Sequence, residues 1–216
     1  MWNLYERDIQ RMDLFERLKK SPNNLLPRDG EVHYYGPIIA YEKANFYLKE
    51  LMQEIAWKND RAVLFGKTII TNRKVAWYAD EPFSYTYSKI KKTALPWTKT
   101  LLNLKDITEK ESGEEYNSCL LNLYHNGSEG VSWHSDGEKD LKKNGAIGSL
   151  SFGAQRKFSF KHKRTKENVS KILEHGSLLV MRGVTQTHWV HQLPTTKTTK
   201  LPRVNLTFRT IAAELP

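Results

Sequence analysis

Apolar residues recur at two periods along the chain, and the change from one to the other divides it. In the first thirty residues Leu4, Ile9, Met12, Phe15 and Leu18 stand three to five apart before Ser21-Pro22-Asn23-Asn24, which predicts a helical extension packed on the rest of the domain. From Glu42 the positions Ala44, Tyr47, Leu48, Leu51, Met52 and Ile55 trace one helical face. A third helix is predicted after Pro96-Trp97-Thr98, with Thr98 as N-cap and Leu101, Leu102 and Ile107 on one side. From Tyr116 the pattern shortens to alternating segments rich in β-branched and aromatic residues, such as Ser149-Leu150-Ser151-Phe152 and Lys157-Phe158-Ser159-Phe160. The expected class is α+β, with helices supporting one side of an antiparallel double-sheet barrel or sandwich.

Length and composition narrow this picture. The 216 residues, 39% hydrophobic and 27% charged, suit one domain with one core, without internal repeats or low-complexity tracts. No run approaches a membrane span, and Met1-Trp2-Asn3-Leu4-Tyr5-Glu6-Arg7-Asp8 lacks the apolar stretch of a secretory signal. A cytoplasmic protein is expected, nuclear if eukaryotic or nucleoid-associated if bacterial. The single cysteine, Cys119, excludes an internal disulfide framework and any multi-cysteine metal site, so a metal would need His, Asp or Glu. A net charge of +10 favours a polyanionic partner, although many basic proteins bind none.

Several polar residues then gain meaning together. His134-Ser135-Asp136 places an imidazole and a carboxylate two apart, so on extended backbone both project to one face. Alone this triplet fits an exposed turn equally well. With a second histidine it supplies the two-His, one-carboxylate set of non-haem Fe(II) oxygenases, and both His188 and His191 are available for that role. In Arg203-Val204-Asn205-Leu206-Thr207-Phe208-Arg209, one face is apolar and the other carries two arginines, as on an edge strand with solvated arginines or on a clamp for a small dicarboxylate. Leu120, Asn122 and Tyr124 share a face of the segment before His134. Buried there, the amide and the phenol need either a ligand or neighbouring backbone as partner.

Taken together, Asn122-x-Tyr124, His134-x-Asp136, His-Trp-x-His191-x-Leu-Pro and Arg203-Val-Asn-Leu-Thr-Phe-Arg209 resemble the AlkB family of 2-oxoglutarate-dependent dealkylating dioxygenases, in its DNA-repair branch, over roughly residues 60–211. The resemblance implies a double-stranded β-helix (jelly-roll) core spanning 31–216, a nucleotide-recognition lid near 60–95 and an uncovered extension over 1–30. It implies Fe(II) held by His134, Asp136 and His191, with 2-oxoglutarate and O₂ as co-substrates. It further implies that Arg209, helped by Tyr124, binds the distal carboxylate of 2-oxoglutarate, while Arg203, Asn122 and Asn205 arrange the iron-chelating end.

For substrate, the resemblance implies alkylated DNA, single- or double-stranded, with RNA as the alternative, acted on by a monomer. Leu64-Phe65-Gly66-Lys67 resembles a hairpin that pushes an aromatic wedge into the base stack, with Lys67 and Arg73 approaching phosphates. Tyr85 and Tyr87 resemble the lid aromatics that stack on a flipped base, and Glu138 the acidic residue that reads its exocyclic amine. Gly137 stands where relatives often carry an acid. The basic run from Arg156 to Arg164 is a further expected set of phosphate contacts. The implied reaction is oxidative demethylation of bases of the 1-methyladenine and 3-methylcytosine type, with release of formaldehyde.

Overall fold

A computed structural model describes residues 22–64, 67–87 and 90–212, side chains at 61–69 and 84–92 excepted. The elements in chain order are β1 (Glu31–Pro37), α1 (Tyr41–Glu54), β2 (Lys58–Leu64), β3 (Lys67–Ala79), β4 (Ser84–Tyr87), β5 (Ile90–Thr93), α2 (Lys99–Ser112), β6 (Ser118–Tyr124), β7 (Val131–His134), β8 (Ile147–Gly153), β9 (Arg156–His162), β10 (Asn168–Leu173), β11 (Ser177–Arg182), the single turn α3 (Thr185–His188), β12 (Trp189–Leu193) and β13 (Arg203–Arg209). The expected helix over Leu4–Leu18 lies outside the described residues.

Seven strands form one sheet in the order β1-β11-β8-β13-β6-β3-β2, and four form a second in the order β10-β9-β12-β7. Every pairing within these two sheets is antiparallel. The larger sheet is sandwiched. On its outer face α1 lays down Ala44, Tyr47 and Leu51, and α2 lays down Leu101 and Leu104, against Leu121, Leu150, Leu178, Val204, Leu206 and Phe208. These buried side chains drive helix formation more than helix propensity does, because short isolated helices are marginal in water. On the inner face Val32, Ile147, Leu179 and Met181 meet Phe160, Leu173 and Trp189 of the smaller sheet. Two sheets closed over one another, with helices on one side, make the expected jelly-roll.

Local signals place the helices. Thr98 Oγ1 accepts from the Leu101 amide at 3.2 Å and satisfies one orphan donor of α2. At its other end Gly113 takes φ 71° and donates to Glu109 O, a left-handed cap that favours glycine. The buried stripe of α2 runs through Leu101, Leu104, Thr108 and Ser112, and Leu102 is exposed, against expectation. Adjacent helical residues lie about 100° apart, so Leu101 and Leu102 cannot share a narrow contact face.

Two further expectations change. Strands begin at Glu31 rather than at Tyr116, and Lys74–Ala79 of β3 pair with β6, so half of one lid strand belongs to the main sheet. Residues 22–30 of the extension pack on the domain. Leu26 is buried, the Trp189 indole donates to Arg28 O at 3.0 Å, and Asn24 Oδ1 accepts from the amides of Leu26 and Val32.

β13 decides where chemistry can occur. Its apolar residues face the helices, as the alternation requires, while its polar face looks into the space between the sheets. Arg203, Asn205 and Arg209 are therefore buried rather than solvated, which removes the edge-strand reading.

Candidate metal and co-substrate site

His134 ends β7, and His191 faces it as its register partner on β12. Their rings approach to 4.3 Å between centroids, edge to face. Asp136 lies just past the strand, where its backbone amide donates to Gln186 Oε1 at 3.0 Å. That bond brings Asp136 Oδ1 to 3.8 Å from His134 Nε2 and 4.0 Å from His191 Nε2. The three potential ligand atoms all lie within 4.8 Å of one another, close enough to bind one ion.

Protonation suits the same use. His134 Nδ1 sits 2.7 Å from the carbonyl of Ser132, which can only accept, so the proton is on Nδ1 and the Nε2 lone pair is free. Burial pushes the pKa of His191 down to about 4; Asp136 opposes that shift and His134 adds to it. The ring is neutral at neutral pH and packs against Phe158 at 5.3 Å and Phe160 at 6.1 Å.

A second constellation, Asp29, His162 and His188, has similar spacing but different chemistry. The Thr165 amide donates to His162 Nδ1 at 3.0 Å, so the ring proton must be on Nε2. That nitrogen, 3.2 Å from Asp29 and without a hydrogen-bond partner, has no lone pair for a metal. His188 ends the α3 turn, and its ring stacks parallel to His162 at 6.2 Å. The rivalry between His188 and His191 is thereby decided by geometry in favour of His191.

Next to the triad, β13, β6 and β8 turn a group of buried polar side chains toward the space between the sheets, and this polar lining is termed the chamber. The register pairs Arg203 with Tyr124, Asn205 with Asn122, and Asn205 with Ser151. Arg203 donates to Ser151 Oγ at 3.0 Å and Asn205 Oδ1 at 2.6 Å, and its guanidinium carbon lies 5.5 Å from the Tyr124 ring centroid. None of these partners is a carboxylate, and Arg203 Nε has no hydrogen-bond partner. Burial lowers the pKa of Arg203 to about 10, which still leaves a cation at neutral pH. A fully buried guanidinium without an anion is costly, and a carboxylate entering the chamber would relieve that cost.

Arg209 stands at the other end of β13. It donates to Glu138 Oε1 at 2.9 Å, and although burial disfavours its charge, Asp136 and Glu138 hold its pKa above the ordinary value. Its Nε is also buried without a partner. The expected pairing of Tyr124 with Arg209 is therefore corrected. Strand register puts Tyr124 beside Arg203, at the opposite end of β13 from Arg209, and Arg209 lies beside Asp136 instead. Asn205 Oδ1 is fully used by Arg203 and Ser149, and its amide donates to Thr207, so it shapes the floor of the chamber. The Asn122 side chain, among the described residues, makes no hydrogen bond and stays available to a ligand.

Other expected contacts fall elsewhere. Arg73 turns inward to pair with Asp60 and approaches the Tyr124 hydroxyl, instead of projecting towards phosphates. Arg156 is buried and donates to the carbonyls of Asn126, Gly127, Glu129 and Pro194, so it clamps loops and cannot reach a phosphate. His162, in the same basic run, is buried too. Lys157, Lys163 and Arg164 remain exposed. Phe65 lies outside the described residues, as do the side chains of Lys67, Tyr85 and Tyr87, although β2 and β3 form the hairpin expected around Phe65 and β4 and β5 pair as a second.

Sequence reasoning missed Gln186, which positions Asp136, and Ser149 and Ser151, which hold the Arg203–Asn205 pair. Both serines alternate with apolar residues on β8, the same signal that singled out Asn122.

Comparison with known proteins agrees with this chemistry. A family model described as the 2OG-Fe(II) oxygenase superfamily matches residues 31–209. The chain is 37% identical over 215 residues to alpha-ketoglutarate-dependent dioxygenase alkB homolog 3 of Homo sapiens, covering 95% of this chain and 73% of that protein. It is 38% identical over 188 residues to DNA oxidative demethylase ALKBH2 of Mus musculus, covering 82% and 79% respectively. The solved structure of OsALKBH1 matches with a TM-score of 0.58 over 88% of this chain and 100% of that one, at 15% identity, which speaks for the fold alone. By fold, metal-ligand geometry and sequence, the chain belongs to the AlkB family of 2-oxoglutarate- and Fe(II)-dependent oxygenases.

Proposed function

We propose that this dioxygenase removes methyl groups from N-alkylated bases of the 1-methyladenine and 3-methylcytosine type in DNA, as a repair activity. Its co-substrates are 2-oxoglutarate and O₂ and its metal is Fe(II). The observation that carries the reaction class is the buried, anion-free Arg203 in the same chamber as a convergent His134, Asp136 and His191. The substrate follows from similarity to proteins named for alkylated-DNA demethylation and from the +10 charge.

His134, Asp136 and His191 would hold Fe(II), which supplies oxidation of the methyl carbon by O₂, with 2-oxoglutarate decarboxylated to succinate and CO₂. The protein's part is placement. Arg203 and Tyr124 take the far carboxylate of 2-oxoglutarate. Arg209, beside Asp136, together with Asn122, orients the end nearer the metal. Phe158 and Phe160 keep water from the His191 side. Glu138 accepts from Arg209 through one oxygen and presents the other to a donor on the base. Tyr85 and Tyr87 would stack on a base swung out of its helix, and Phe65 with Lys67 would support a duplex at the hairpin tip. The hydroxymethyl group left on nitrogen then departs as formaldehyde, with its hydroxyl proton released to solvent and the N–C bonding pair returned to the ring nitrogen as its lone pair.

The test is mass spectrometry of oligonucleotides carrying one methylated base after incubation with Fe(II), ascorbate and 2-oxoglutarate, run in parallel on DNA and RNA, single strands and duplexes. Loss of the methyl group from DNA with stoichiometric succinate is expected. Succinate formation with every methylated strand left intact would assign the enzyme another substrate.

A further inference from the structure

A cleft of about 480 Å³ opens beside the triad, walled by the segment after Asp136, by residues 183–187 and by the end of β13. Its lining holds five cationic side chains, Lys139, Lys142, Lys143, Lys163 and Arg209, against two carboxylates, Asp136 and Glu138. Both carboxylates already have a role, Glu138 accepting from Arg209 and Asp136 standing in the metal-ligand set with the Arg209 charge beside it. Lys139, Lys142 and Lys143 are exposed, and among the described residues none of them forms an ion pair.

The lysines stand on a fixed rim. Leu141 bridges to Ile211, the Lys142 amide donates to Thr210 O at 2.8 Å, and the Ala212 amide donates to Asp140 O at 2.9 Å. The next turn closes with Gly145 N–H donating to Lys142 O; a Cβ at Gly145 would come within 3.0 Å of that same oxygen, so glycine keeps the turn tight. The segment is thus tied to the strand that carries Arg209, and its charges are placed before any ligand arrives.

We propose that Lys139, Lys142 and Lys143 form a binding site for the phosphodiester backbone of the substrate strand, flanking the nucleotide whose base enters the triad; this rests on the nucleic-acid reading above. A base reaching His134 and Asp136 from outside must trail its strand over the rim beside them. Unpaired lysines are strongly hydrated point charges, suited to releasing counterions from an open polyanion. A small dicarboxylate, by contrast, is served in the chamber by Arg203, which is buried and lacks an anion. Phosphate contacts carry no base information, so this site acts on every strand alike.

The experiment measures binding of a fluorescein-labelled single-stranded DNA oligonucleotide with one 3-methylcytosine, and of its unmethylated counterpart, across a salt series. Wild type is compared with a Lys139→Gln/Lys142→Gln/Lys143→Gln triple variant and with the matching triple change to arginine. The glutamine variant should bind both strands about tenfold or more weakly, by the same factor, and the slope of log affinity against log salt should fall by about 2, at roughly 0.7 per phosphate contact on a single strand. The arginine variant should restore both values. Melting temperature and 2-oxoglutarate affinity serve as controls. An unchanged slope in the glutamine variant, with salt-dependent binding by wild type, overturns this site alone. A fall in 2-oxoglutarate affinity instead of strand affinity reassigns the cleft to the co-substrate. Absence of salt-dependent strand binding by wild type overturns the nucleic-acid reading, and this site with it.

Discussion

Arg203 lies opposite Tyr124 in the register of β13 and β6, with its guanidinium carbon 5.5 Å from the phenol ring centroid and no carboxylate among its partners. That relationship, rather than the presence of two arginines on one strand, is why the proposed function gives the far carboxylate of 2-oxoglutarate to Arg203 and not to Arg209.

Arg203→Ala should therefore raise the 2-oxoglutarate KM more than Arg209→Ala does. Removing one partner of a buried charge pair costs about 2–5 kcal/mol, or roughly thirtyfold and upward in affinity. A second reading comes from melting. 2-Oxoglutarate should raise the melting temperature of the wild type but not of Arg203→Ala, because a ligand stabilises only the state it binds. If Arg209→Ala alone abolishes the shift, the two arginines have been assigned in the wrong order.

Much of this site was legible because it is written at period two. Alternation along β13 and β6 gave Arg203, Asn205, Arg209, Asn122 and Tyr124 a common face, and two-residue spacing brought His134 and Asp136 together. What alternation cannot give is the register between strands distant in sequence, so the partner of Tyr124 was misassigned. Nor does a basic run reveal which of its members turns inward. Arg156 is satisfied by four carbonyls from loops that the fold brings to it, and no local pattern distinguishes it from exposed Lys157. Nor could spacing alone choose between His188 and His191, because the α3 turn that carries His188 is only four residues long, too short to show a period.

The two histidine constellations separate under mutation. His134→Ala, Asp136→Ala and His191→Ala should each abolish turnover and Fe(II) binding, the latter measured by isothermal titration under anaerobic conditions. His188→Ala should retain both and lose about 1 kcal/mol of stability or less, since its ring contact with His162 is a single stacked pair. Loss of iron binding on removing His188, with retention on removing His191, would invert the assignment.

The helical layer makes an independent prediction about stability. Thr98→Ala removes the side-chain acceptor for the Leu101 amide and should destabilise the protein by about 1 kcal/mol in urea unfolding, while Thr98→Asp, which keeps an acceptor and adds charge at a helix N-terminus, should not. Equal losses in the two variants would mean that the cap contributes nothing and that packing of Leu101 and Leu104 alone holds α2 in place.

His191 predicts how the metal-free protein responds to acid. An unhindered imidazole takes up its proton near pH 6.5, whereas burial delays uptake by His191 until about pH 4. Between those values the unfolded chain binds a proton that the folded chain refuses. Stability should therefore fall as pH drops through that window, by at most about 1.4 kcal/mol per pH unit from this residue, and the loss should level off below pH 4. Carboxylates elsewhere titrate in the same range, so the useful quantity is a difference. Between metal-free wild type and His191→Leu, compared at half-unit steps from pH 7 to pH 4, the wild-type urea midpoint should fall relative to that of the variant as the pH drops, because leucine occupies the space beside Phe158 and Phe160 without a titrating group. Parallel curves would mean that His191 gains its proton in the folded state as easily as in the unfolded one, and that the ring is less shielded from water than its packing implies.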